Sequence, residues 1–105
     1  MEQTPIPTLY LRNLNDKIKL EGIIPHNPEE LKKSVYMLCS VHGEVLEVHM
    51  QHSAKLRGQA FVVFREVEMA QRALIALQGF PLFGKPMVFI LLTRWANRPR
   101  NLQSK

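Results

Sequence analysis

The chain carries a single cysteine, Cys39, among 105 residues, so no intrachain disulfide can form and a reducing, intracellular setting is expected. Long apolar runs are also missing. The longest strand-like one, Met87 to Leu92, is about six residues, far below the roughly 20 that a membrane-spanning helix needs. The opening Met1-Glu2-Gln3-Thr4-Pro5 has no basic-then-apolar pattern of a secretory signal. No internal repeat or low-complexity block is present. Acidic residues are outnumbered, 9 against 14 Lys and Arg, giving a net charge of +5 and a pI near 9.7. Such a balance suits a polyanion partner, most often nucleic acid, although solubility alone also accounts for it. With 46% hydrophobic and 22% charged residues, one globular domain is expected.

Metal and enzyme chemistry find little support. His26, His42, His49 and His52 with Cys39 lack C-x-x-C or H-E-x-x-H spacing, so no metal and no cofactor are expected. His49 reads more simply as a residue of an exposed strand face. No serine or cysteine nucleophile motif is present. A small phosphatase built on a similar topology would need a Gly-rich phosphate cradle after the first strand. Asn13-Leu14-Asn15-Asp16-Lys17 stands there without glycine, so the chain is not expected to be an enzyme.

Periodicity gives the order of elements. Residues 1–7, with two prolines, read as a flexible N-terminal arm. Thr8 to Leu14 alternates, with Leu9 and Leu11 inward and Tyr10 and Arg12 outward. A long connection follows to Asn27, whose segment Leu20 to His26 carries apolar residues that a solvated loop does not need. Asn27, Pro28, Glu29 and Glu30 make a helix start, and Leu31, Val35, Leu38 and Cys39 form its buried stripe, closed by Gly43. Tyr36 and Met37 fall off that stripe, at the core edge or facing a second protein. Glu44 to Met50 is a strand with Leu46, Val48 and Met50 inward. After a basic loop comes the strand of Gln59 to Phe64, with Gln59, Phe61 and Val63 on one face and Ala60, Val62 and Phe64 on the other. Then comes a helix with Val67, Ala70, Ala73, Leu74 and Leu77 on one face, closed by Gly79. Residues 80–86 are a turn-rich connector and Met87 to Leu92 the last strand. The tail is basic and polar. Strand-helix-strand-strand-helix-strand implies an α+β fold, a four-stranded antiparallel sheet with both helices on one face and the other face open.

The stretch Arg57-Gly58-Gln59-Ala60-Phe61-Val62-Val63-Phe64 resembles the octamer of the RNA-recognition motif at every position but Gln59, and Leu9 to Leu14 resembles its hexamer. Gln at that octamer position, together with Asn13 to Lys19, Glu30 to Ser34 and Gln78-Gly79-Phe80-Pro81, resembles one group of that family. It is the spliceosomal A / B-double-prime group, whose RNA-recognition motif (a ferredoxin-like βαββαβ fold) binds hairpin loops of the U1 and U2 snRNAs. The similarity covers residues 8 to 92, which implies an RNA-recognition motif over residues 8–93 and a basic tail over 94–105.

The resemblance implies roles residue by residue. Tyr10 and Phe61 stack loop bases, with Gln59 against a third. Asn13, Asn15 and Asp16 bond base edges, Asp16 as an acceptor only. Lys17 and Lys19 approach stem phosphates, and Arg57 grips the closing base pair with its planar fork. Lys55 and Lys85 add positive potential. Arg12, His49 and Arg94 join the expected RNA surface, and Trp95 either stacks on RNA or caps Val88, Ile90 and Leu92. The B-double-prime proteins also bind a leucine-rich-repeat protein through the first helix. A similar A-prime-like partner of the U2 particle is therefore expected to meet Lys32, Lys33, Tyr36 and Met37, with Ile23 and Ile24 beside them. Function in pre-mRNA splicing, in the nucleus, with U2 favoured over U1, is what the resemblance implies. Three departures stand out: Arg12 in place of a family Asn, the longer connection Leu20–Pro28, and the loss of family pattern after Leu91.

Overall fold

The computed structural model describes residues 3–15, 28–51 and 58–95. Strand β1 (Gln3–Arg12) leads to helix α1 (Pro28–Ser40), then strands β2 (Val45–Met50) and β3 (Ala60–Phe64) and helix α2 (Val67–Leu77). A small hairpin, β4 (Pro81–Leu82) and β5 (Lys85–Pro86), precedes the last long strand, β6 (Val88–Trp95). The main sheet is antiparallel in the order β2-β3-β1-β6. The α+β arrangement expected from periodicity is therefore present, with the small hairpin added.

The core follows the alternation of the strands and the stripes of the helices. Leu9, Leu11, Ala60, Val62, Phe64 and Phe89 point to the helical side, where Leu31, Val35 and Cys39 from α1 and Ala70, Ala73 and Leu77 from α2 meet them, all buried. Burial at about 25 cal/mol per Å² of apolar surface is what holds so small a sheet to its helices. Cys39 belongs to this layer, and burial pushes its thiol up to about 12. It is a packing residue and a poor nucleophile.

Three expectations need correction. Residues 3–7 are not a loose arm: they form the first half of β1, with Gln3, Thr4 and Pro5 opposite Trp95, Arg94 and Thr93. The last strand correspondingly runs past Leu92 to Trp95. The prolines lack an N–H, but this half of β1, which lies before the pairing with β3 begins at Thr8 and carries a register shift between Pro5 and Leu9, tolerates them. Leu46, expected inward, is 55% exposed. A bulge between Val45 and Glu47 makes Leu46 the extra residue, so the buried positions of β2 are Val45 and Val48, three apart and not two.

Gly43, expected as a helix stop, has a different role. Helix α1 ends at Ser40, and the turn after it runs so close to α2 that a Cβ on Gly43 would lie 2.4 Å from Met69 Cβ. Glu44 N–H points at Met69 Sδ, 3.3 Å away. Gly43→Ala is expected to lower stability by about 1–3 kcal/mol, because the turn and α2 must separate. Urea unfolding measures it; an unchanged midpoint would show that the two elements have slack.

The edge strand β6 is tied to α2. Gln78 Nε2 donates to the Phe89 carbonyl at 2.9 Å, and Phe89 N–H donates to Gln78 Oε1 at 2.7 Å. One side chain thus completes both backbone groups of an edge residue that would otherwise be open to another strand.

Candidate nucleic-acid interface

With both helices on one side, the other sheet face lies open, and the strand register decides which residues share it. Tyr10 of β1 stands opposite Phe61 of β3 and Ile90 of β6, and Phe61 stands opposite His49 of β2. The row His49–Phe61–Tyr10–Ile90 therefore crosses the whole sheet. The Tyr10 and Phe61 ring centroids are 5.2 Å apart and tilted by 34°. Both rings are half-buried by their neighbours and keep a face toward solvent. Tyr10 Oη donates to Gln59 Oε1, which holds the Gln59 amide beside the rings with its NH₂ group unspent in that bond.

Gly58, with a φ of 82°, turns the chain into β3, and its carbonyl accepts from Leu14 N–H at 3.0 Å. A side chain there would be strained. This bond ties the end of β1 to the start of β3 and so brings Asn13 and Asn15 beside Gln59. Asn13 has a φ of 66°, a left-handed conformation that Asn accepts better than most residues. Asn13 Nδ2 donates to the Pro86 carbonyl and Asn15 Nδ2 to the Phe83 carbonyl, each at 2.7 Å. Both amides are thus anchored to the β4–β5 hairpin. Each keeps a second N–H and its carbonyl oxygen outside that bond. The hairpin turn itself has φ of 51° at Phe83 and 85° at Gly84. Phe83 tolerates the unfavourable angle because its ring packs on the core.

Arg12 is exposed one step along β1 from Tyr10, opposite Val88. Arg94 is exposed near the far end of β6, opposite Thr4, and Lys85 is exposed on the hairpin. His49 Nε2 lies 2.9 Å from Glu47 Oε2 on the same strand, so an acidic group shares the open face beside it. Glu47 is legible from alternation along β2, since residues two apart share a strand face. Trp95 is placed by its backbone opposite Gln3. Asp16, Lys17, Lys19, Ile23, Ile24, Lys55 and Arg57 lie outside the described residues.

The expected partner-protein residues group elsewhere. Tyr36 and Met37 are exposed on α1, and Lys32, Lys33 and Tyr36 line a groove of about 660 Å³ between α1 and β2 with Glu29, Glu30, Leu46 and Val48. That groove opens at the sheet edge, away from Tyr10. Among the described residues no three His, Cys, Asp or Glu side chains come together in a way that could hold a metal ion.

Comparison with known proteins agrees with this geometry. The RNA recognition motif family model matches residues 27–88, more than half of the chain. U1 small nuclear ribonucleoprotein A of Drosophila melanogaster is 46% identical over 87 residues, covering 83% of this chain and 37% of that protein. U2 small nuclear ribonucleoprotein B'' of Oryza sativa subsp. indica is 48% identical over 83 residues, covering 79% and 32%. The chain thus spans about a third of the length of these curated relatives. The solved structure of URNdesign, a complete computational redesign of human U1A protein, matches with a TM-score of 0.71 at 25% identity, over 98% of this chain and 95% of that one. The matched segment, the sheet order and the paired Tyr10 and Phe61 together place the chain in the RNA recognition motif family, in the group of the spliceosomal A and B'' proteins.

Proposed function

We propose that this chain binds the loop of an snRNA hairpin on its open sheet face and serves a spliceosomal ribonucleoprotein in the nucleus. The observation that carries this reading is the Tyr10–Phe61 pair, two rings at 5.2 Å on a face that no described helix covers. Rings left half-open to water at a sheet centre cost free energy, and unpaired bases stacking on them return about 1–3 kcal/mol each. Gln59, bonded to Tyr10, and Asn13 and Asn15, just after β1 and bonded to the β4–β5 hairpin, supply amide groups to read base edges. Arg12, Arg94 and Lys85 supply cations for the backbone, as would Lys17, Lys19, Lys55 and Arg57, while Asp16 would accept from a base amino group.

The loop of U2 snRNA is favoured over that of U1, with a leucine-rich-repeat protein on α1. Support for the partner is the exposed Tyr36 and Met37 beside the groove between α1 and β2. Titrations with the two hairpins, with and without such a repeat protein, test this part. Discrimination in favour of U2 that sharpens when the partner is added is the expected result. Equal affinity and discrimination in both conditions would leave α1 without a role.

Salt provides an independent measurement. Log affinity is expected to fall with log salt by about 0.7–0.9 per neutralised phosphate, and Arg12→Gln and Arg94→Gln should each reduce that slope. A flat dependence would contradict a polyanion ligand.

A further inference from the structure

We propose that Ile90 is a further base platform, on the last strand, which holds one unpaired RNA base by its face and reads none of its edges. The inference rests on the RNA-binding reading above and extends it to a residue whose only expected role is to lie in the apolar face that Trp95 would cap. Ile90 is opposite Tyr10, which is opposite Phe61, so the three side chains form one row. At roughly 4.8 Å between strands, neighbouring platforms are spaced to receive successive splayed bases.

The core does not explain Ile90. The buried positions of this segment are Met87 and Phe89, on the helical side, whereas Ile90 is 41% exposed on the open face. Edge strands usually carry charge on such positions as protection against unwanted pairing, and here the protection comes from Gln78 on the backbone of Phe89. An exposed isoleucine is thus left free for contact. Charge selects the occupant. Arg12 lies one row away, opposite Val88, and Arg94 two rows away in the other direction. Both are exposed and neither has an ion-pair partner among the described residues. An apolar platform between two guanidinium groups suits a flat base whose flanking phosphates reach the cations. An apolar peptide would leave those cations unmatched.

Isoleucine offers no donor or acceptor, so the base above it is held by shape. That loop position should accept any of the four bases with affinities within about 3-fold, unlike positions near Asn13, Asn15 and Gln59.

The test uses the full chain and the tighter-binding of the U1-type and U2-type hairpins, each unpaired loop position being made abasic in turn. In the parent protein one position should lose about 5- to 10-fold on base removal. That same penalty should vanish in Ile90→Ala and persist largely in Ile90→Val, while the penalty at a different position vanishes in Tyr10→Ala. Such position-specific coupling does not arise from general weakening of the fold. If every abasic penalty survives Ile90→Ala while Tyr10→Ala erases one, the inference on Ile90 is overturned and the RNA reading stands. If neither substitution erases any penalty, or neither hairpin binds, both fall.

Discussion

Replacing Tyr10 and Phe61 together by alanine is expected to weaken binding of the snRNA hairpin by roughly 2–6 kcal/mol, the sum of two base-stacking contributions. The rings touch, with centroids 5.2 Å apart, so the two losses should couple and the double variant should lie in the lower part of that range. Tyr10→Phe separates two roles of one residue. It keeps the ring and deletes the hydroxyl that donates to Gln59, and should therefore cost much less affinity while relaxing discrimination at the base beside Gln59. Because both rings lie on the open face, the double variant should remain folded. Fluorescence titration with a parallel thermal melt checks both halves of the expectation. Unchanged affinity in a folded double variant would mean that RNA binds elsewhere or not at all.

Phe64→Ala should act in the opposite way. Phe64 heads the fully buried side chains among the described residues and lies three positions along β3 from Phe61, on the opposite face. Truncation leaves a cavity between the sheet and the helices, at a cost of about 3–5 kcal/mol. Domains of this size have only about 5–15 kcal/mol in hand, so a large share of the protein should unfold in mild urea. RNA affinity per folded molecule should be close to that of the parent protein. Two phenylalanines on one five-residue strand are thus separable, one by stability and one by binding. A Phe64→Ala protein as stable as its parent would contradict the packing described for β3.

That separation was legible in the sequence, because period-two alternation assigns Phe61 and Phe64 to opposite faces without any tertiary information. The same holds for Tyr10 between Leu9 and Leu11, and for the helix stripes through Leu31, Val35 and Cys39 and through Ala70, Ala73 and Leu77. Where periodicity breaks, the reading failed for identifiable reasons. Alternation places Leu46 inward because it has no signal for a bulge, which depends on the partner strand. Residues 3–7 read as an arm because Pro5 and Pro7 argue locally against a strand, while their pairing with Thr93 to Trp95 is a contact across almost the whole chain. Thr93 Oγ1 and Gln3 Oε1, 2.8 Å apart, belong to that same pairing. Gly43 was assigned the commonest reason for a glycine after a helix, while its close approach to Met69 exists only once α2 is packed.

The candidate site divides in the same manner. Motif resemblance supplied residue types, and Tyr10, Phe61 and Gln59 do come together as that resemblance implies. It did not reveal that the Asn13 and Asn15 amides are already tied to the hairpin carbonyls of Pro86 and Phe83. In the proposed binding mode, amides already held by those bonds would lower the ordering cost of base recognition. Nor did the motif show Ile90 in the row with Tyr10, since cross-strand register is not written in either strand alone.

The most direct measurement follows the ring resonances of Tyr10 and Phe61 by NMR while the unlabelled U2-type hairpin is added. Stacked bases should shift both rings strongly upfield at stoichiometric RNA, with smaller changes at Gln59, Asn13 and Ile90 and almost none on the buried faces of α1 and α2. Saturable RNA binding that leaves both rings unshifted, or that perturbs chiefly the helical face, would contradict the sheet as the RNA-binding surface.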